Sequence, residues 1–293
     1  MGGIGMNPDR EQAVTDEVRA SFGHDDRLAE VMRSLTTHLH AFAREVRLTQ
    51  DEWAAGIGFL TRTGQTCDDK RQEFILLSDV LGLSMLTVGI NAAPDPTATE
   101  STVFGPFFVD GAPGIELGGD ISFGAKGTPC WVSGAVRSTT GEPIPGARLE
   151  VWEADEDGFY DVQYEGDRTA GRGWLTSGDA GEYRFWSVRP SAYPIPADGP
   201  VGELLAASGR HPMRPAHLHF MVTAPGYRTL ITHIFVAGDE YLASDAVFGV
   251  KDSLVVDVAD HPPGTAPDGR ALTEPWASID FDIVLAPEKE QNL

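Results

Sequence analysis

Cysteine is nearly absent from the 293-residue chain: there are two, Cys67 and Cys130, and neither stands in a C-x-x-C pair. That excludes a disulfide framework and a cysteine-built zinc site, and it fits reduced thiols, so the chain is read as cytoplasmic. Positive charge is also scarce. Lys and Arg total 22 against 44 Asp and Glu, a net charge of −22 at pH 7. Such a surface repels phosphate backbones and anionic headgroups, which argues against nucleic-acid and membrane-surface partners. No apolar run approaches the roughly 18 residues of a membrane span. The opening "MGGIGMNPDREQ" lacks the basic-then-apolar order of a signal peptide, and Met6 stands where a myristoylation signal has Ser or Thr. What the chain does have is 33 Gly, 20 Pro and an ordinary apolar share of 41%. It can bury a real core with many turns, as one large or two unequal domains.

The two parts of the chain follow different patterns. Residues 8–92 read as helices. In "DDRLAEVMRSLTTHLHAFAREVRLT", Leu28, Val31, Met32, Leu35, Leu39, Phe42 and Val46 recur at helical spacing. Thr49 and Glu52 have the spacing of a capping box. "DDKRQEFILLSDVLGLSMLTVGIN" reads as one long apolar helix, and helices this apolar call for a buried partner such as a second subunit. "APDPTATE" breaks the pattern with two prolines. Beyond it come short period-2 runs, among them "ARLEVWEAD", "GEYRFWSV", "AHLHFMVTA" and "TLITHIFVAG", separated by Gly/Pro turns. The expectation is an α+β chain: an N-terminal helical domain over 1–99 and an antiparallel β-sandwich over 100–293, ending in a frayed tail.

Chemistry concentrates in the second part. His24, His38, His40 and His261 read singly as surface or capping residues. His217 and His219, in "RPAHLHF", lie two apart on a strand and so share one face. Alone, that H-x-H fits a metal site or merely a solvated sheet face, and no cysteine or obvious carboxylate completes it. Two tyrosines are candidates: Tyr160, just after a strand, and Tyr193, in a proline-bound loop. Two imidazoles with two phenolates suit a hard trivalent ion, above all Fe(III), rather than zinc or calcium.

The segments "STVFGPFFV", "VWEADEDGFY", "YRFWSVRPSAYPIP" and "GRHPMRPAHLHFMVTAPGY" together resemble the intradiol ring-cleavage dioxygenases, in order and spacing, across residues 100–285. The helical part resembles the dimerising domain of that family's catechol branch. The resemblance implies a non-haem Fe(III) held by Tyr160, Tyr193, His217 and His219. It implies O2 and a catechol-type diol as substrates, with Tyr193 taking a substrate proton as general base and Arg214 stabilising negative charge on the substrate. It also implies a homodimer, with a phospholipid between the helical domains.

Phe104, His233 and "ASDAVFGVKDSLV" place the chain nearer the branch that acts on hydroxyquinol (benzene-1,2,4-triol). Family pocket segments map to Leu76, Asp79, Val103, Phe104, Gly105, Pro106, Phe107, Ile195, Pro196 and Val247, with Arg214, where the helical part meets the sandwich. Asp79, on an apolar helix, is expected to receive the third hydroxyl. Catechol or chlorocatechol cleavage at the same iron is the alternative. A non-catalytic, zinc-binding sandwich is the remote one, and it leaves both tyrosines without a purpose.

Overall fold

The structure, a computed structural model, describes residues 7–23, 26–68, 71–92, 95–166 and 168–288. His24 and the last residues of the expected frayed tail lie outside them. The chain divides into two compact units, residues 1–62 and 63–293.

In the first unit, α1 (Pro8–Ser21) starts with Pro8 just inside the helix and the Asn7 side chain capping the Asp9 N–H. Helix α2 (Arg27–Glu45) packs on it: Arg44 Nη1 donates to the Thr15 hydroxyl at 2.8 Å, and His40 Nδ1 lies 3.0 Å from the same oxygen. Helix α3 (Gln50–Thr66) opens on the expected capping box. The Thr49 N–H donates to Glu52 at 2.9 Å, and the Glu52 N–H donates back to the Thr49 hydroxyl at 3.2 Å.

The expected long apolar helix is two: α4 (Glu73–Val80) and α5 (Leu83–Asn91), bent by 77° at the break. Gly82, with φ +72°, turns the chain in a left-handed conformation that other residues resist. Among the described residues no single helix is long and apolar enough to cross a membrane; the bent pair reaches that length and composition only together. Glu73, fully buried, accepts the Val201 N–H at 3.0 Å and so docks α4 on the start of a later helix, α6 (Pro200–Ala207).

The rest of this unit is β-structure. The strands are β1 (Pro129–Ser138), β2 (Arg148–Trp152), β3 (Arg172–Thr176), β4 (Glu182–Val188), β5 (Tyr193–Pro194), β6 (Met213–Arg214), β7 (His217–Thr223), β8 (Leu230–Val236), β9 (Val255–Val256), β10 (Ala259–His261), β11 (Gly264–Thr265), β12 (Ala271–Leu272), β13 (Trp276–Asp280) and β14 (Ile283–Leu285). One five-stranded sheet runs β10-β13-β1-β14 with β4 also on β1; the other runs β3-β2-β7-β8-β9. One continuous core joins them. Val132, Val136, Phe185, Ile279 and Leu285 come from the first sheet, and Leu149, Leu175, Leu218, Phe220 and Ile234 from the second. The sandwich is therefore as expected, but its pairing is mixed. β1 takes β13 and then β14 in parallel, and β9 joins β8 in parallel. A single long strand can do this because its two halves serve different partners, separated by Phe281 and Asp282.

Candidate metal centre and substrate cleft

Strand alternation builds the centre. Along β7, Leu218, Phe220 and Val222 point into the shared core. His217 and His219 must then point to the other face, where register sets His219 between Trp152 on β2 and His233 on β8. Trp152 stacks on the His219 ring at 4.7 Å and 20°. The phenols come from elsewhere. Tyr160 follows β2 and caps a short 3₁₀ turn, Asp161–Gln163. Tyr193 does not hang on a free loop: β5 pairs with β6, which sets Tyr193 directly opposite Arg214.

The Tyr160 hydroxyl lies 2.8 Å from His219 Nε2 and 3.3 Å from the Tyr193 hydroxyl. The Tyr193 ring lies 5.3 Å from that of His217. His217 Nδ1–H donates to the Pro215 carbonyl at 2.7 Å, which leaves the Nε2 lone pair facing the site, where Arg214 Nη1 approaches it at 3.1 Å. All four side chains are buried. Two glycines make room for them. A Cβ on Gly105 (φ +77°) would stand 3.1 Å from His219 Cε1, and one on Gly158 (φ +83°) 2.8 Å from the Tyr193 Cβ.

Burial keeps this set neutral. It raises the Tyr160 phenol well above its usual range, Tyr193 adding to the effect, and raises Tyr193 against the pull of Arg214. Burial and Arg214 hold His217 down at about 3, and burial with His217 holds His219 well below its usual range. Neutral imidazoles are competent ligands, and a bound cation would reverse the balance for the phenols, drawing off their protons. Among the described residues no group of three or more His, Cys, Asp and Glu is arranged to hold a metal. The two phenols are thus what turns a histidine pair into a four-donor set, and that set fits a hard, highly charged ion.

Arg214 lies beside the donors, itself buried. Its Nε and Nη2 hold Asp245 at 3.0 and 3.3 Å, its Nη1 approaches His217 Nε2 at 3.1 Å, and its Nη2 approaches His233 Nδ1 at 3.4 Å. The Asp245 carboxylate is held below its usual range by Arg214 against the cost of its burial.

A cleft of about 910 Å³ opens nearby, lined by Leu76, Pro106, Phe107, Ile195 and Pro196 from the expected pocket. Asp79, Val103, Phe104, Gly105, Arg214 and Val247 do not line it. Asp79 is buried, with its Oδ1 unpartnered; burial raises its pKa, while Ser84 and Arg214 pull it back. Phe104 packs its ring on Phe108 at 4.6 Å and on Trp152 at 5.8 Å.

Sequence reasoning missed Asp245, Trp152 and the Asp161–Arg172 pair. Trp152 was the readable one: it ends a strand whose Leu149 and Val151 face the core, so it had to face the histidines.

With this geometry in view, the "Dioxygenase" family matches residues 105–287 and the "Catechol dioxygenase N terminus" family matches residues 25–99. The chain belongs to the intradiol ring-cleavage dioxygenases, a family that uses iron. It is 62% identical to the hydroxyquinol 1,2-dioxygenase of Nocardioides simplex over 281 residues, 95% of this chain and 96% of that relative. Among solved structures it is similar to hydroxyquinol 1,2-dioxygenase from Pseudomonas putida DLL-E4, with a TM-score of 0.89 and 45% identity over 96% of this chain and all of that one. Mercury-inhibited catechol 1,2-dioxygenase from Acinetobacter sp. ADP1 gives a TM-score of 0.82 and 30% identity, covering 94% of this chain and 93% of that one.

Proposed function

We propose that the protein cleaves hydroxyquinol with O2 between its two adjacent hydroxylated carbons, giving 3-hydroxy-cis,cis-muconate, which tautomerises to maleylacetate. Both oxygen atoms enter the product, the bond between the two hydroxylated carbons breaks, and no external reductant is consumed. The reading is carried by the convergence of two buried phenols and two buried imidazoles beside Arg214. Tyr160, Tyr193, His217 and His219 would hold Fe(III), which would act as a Lewis acid and favour the electron-rich, deprotonated diol that reacts with O2.

The chain's own residues do the rest. Tyr193 Oη, on the short β5–β6 ladder, takes a proton from the diol. The Arg214 guanidinium, fixed by Asp245, faces negative charge as it develops on the ring. Leu76, Pro106, Phe107, Ile195 and Pro196 give the cleft an apolar side against which the ring packs. Asp79 accepts the third hydroxyl at its unpartnered Oδ1, which separates hydroxyquinol from catechol. Val103, Phe104, Gly105 and Val247 shape the pocket behind that wall. Residues 1–99 serve as the dimerising domain and 100–293 as the catalytic one, a division supported by where the two family matches fall. Exposed apolar side chains on α2 support the homodimer; a phospholipid would lie between the helical domains.

Oxygen uptake by the iron-loaded protein is the test. Hydroxyquinol is expected to turn over faster than catechol, and the loaded protein is expected to absorb visible light through tyrosinate-to-iron charge transfer. Asp79→Ala is expected to lower kcat/KM for hydroxyquinol by about 10–100-fold, the worth of a hydrogen bond to a charged group, and to leave catechol little affected. A colourless loaded protein overturns the iron site. Faster catechol turnover overturns the substrate, and equal losses remove Asp79 from recognition.

A further inference from the structure

The Tyr160 phenol owes its place to supports on two sides. Its backbone runs into Asp161, and its ring stacks on Phe107 at 4.5 Å and 22°. One buried side chain holds both. Arg172 Nε donates to Asp161 Oδ2 at 2.6 Å, Nη2 donates to Asp161 Oδ1, and Nη1 donates to the Phe107 carbonyl at 3.2 Å. Asp161 Oδ2 also takes the Ala170 N–H at 3.1 Å, which ties the turn to the chain entering β3. Arg172 stands opposite Trp152 in the β2–β3 register, and Trp152 is the ring stacked on His219. Arg172 and Asp161 both line the cleft.

We propose that Arg172 is the positioning residue of the Tyr160 ligand, clamping the turn behind the phenol and the pocket wall stacked on it into one rigid unit. A planar fork is required. Guanidinium meets a carboxylate bidentately and still has a third N–H for the carbonyl, whereas an ammonium offers no such fork. A buried ion pair is a poor source of stability compared with apolar packing, so its place beside a ligand points to orientation rather than to strength. The clamp couples the metal donor to the substrate wall: when Phe107 moves, Tyr160 moves with it.

The inference rests on the proposed ligand role of Tyr160, so its first readout needs no metal. The iron-free protein is prepared with fluorotyrosine at its six tyrosines; the ¹⁹F resonance missing from Tyr160→Phe identifies Tyr160. Arg172→Lys is expected to shift or split that resonance while those of Tyr183 and Tyr227 stay in place. Asp161→Asn, which keeps the arginine but weakens its grip, is expected to do the same, and it serves if the lysine variant fails to fold. An unmoved Tyr160 signal in a folded variant overturns the proposal, whatever happens to the melting temperature. In iron-loaded protein, Arg172→Lys is expected to move the visible band and lower kcat about 10–100-fold, as loss of a ligand's supporting partner does, with KM changed much less. A loaded wild type without colour refutes the iron reading and leaves the fluorine result to decide the clamp.

Discussion

At the residue scale, the donors and their supports differ in how far they could be read from the chain. The four donors and Arg214 sit in short motifs whose residue types announce a hard metal. Their partners carry no such mark. Asp245 meets Arg214 across 31 positions, and Asp161 reads as one more acidic residue in "EADEDGFYD" until β3 brings Arg172 beside it. Glu153, in the same run, is the sharpest case. It is buried against Ser187 and the Val188 N–H, with Oε2 unpartnered, and burial pushes its carboxyl up to about 8 from an ordinary 4.5. Between those values the native protein holds a proton that the unfolded chain has released, so stability falls as pH rises through the window. The contribution is complete below the lower value and gone above the upper. Glu153→Gln removes that exchange. Melting temperatures of wild type and variant, followed from about pH 5 to about pH 8, are expected to converge toward, then cross in favour of, the variant, the slope reflecting up to about 4 kcal/mol. Parallel curves would mean that Glu153 ionises at its usual pH in the folded protein.

At the element scale, periodicity was informative and strand direction was not. Alternation along "AHLHFMVTA" already separated a core face from a chemical face, and the structure assigns Leu218, Phe220 and Val222 to the first. Nothing in a strand's composition says which neighbour it will take or in which sense, which is why the parallel β1–β13 and β1–β14 pairs were not foreseen. The break at Gly82 was missed for a related reason. Apolar residues flank it on both sides, so hydropathy runs on while the backbone turns. The two faces of β7 should answer differently to substitution. Phe220→Ala empties a fully buried position that touches Tyr183 and Phe185 and is expected to cost about 3–5 kcal/mol. Because Phe220 faces away from His219, a variant that stays folded should keep the wild-type visible spectrum when loaded with iron. Chemical denaturation and absorption measured on one preparation check both halves. A bleached but stable protein would contradict the division of faces.

At the scale of the whole molecule, composition and charge must be weighed together. The first unit leaves Leu28, Val31, Leu35, Leu39 and Phe42 exposed along α2, and Val46 at its C-cap, spaced by three and four residues. That is an apolar stripe of the kind that seams two helices, and far more than scattered surface leucines require. The chain nevertheless carries a net charge of −22, so two copies repel over a range set by salt. If the stripe is the dimer seam, its burial must outweigh that repulsion, and association should strengthen as ionic strength rises from low values. Light scattering is expected to give twice the 31.5 kDa chain mass at physiological salt. Placing charge in the seam, as in Leu35→Glu with Leu39→Glu, is expected to return it to a single chain. The donors and the cleft all belong to residues 63–293, so the monomeric variant should keep its visible band. A wild type that runs as a monomer at every salt concentration would overturn the dimer, and a doubly charged variant that still pairs would move the interface away from this helix.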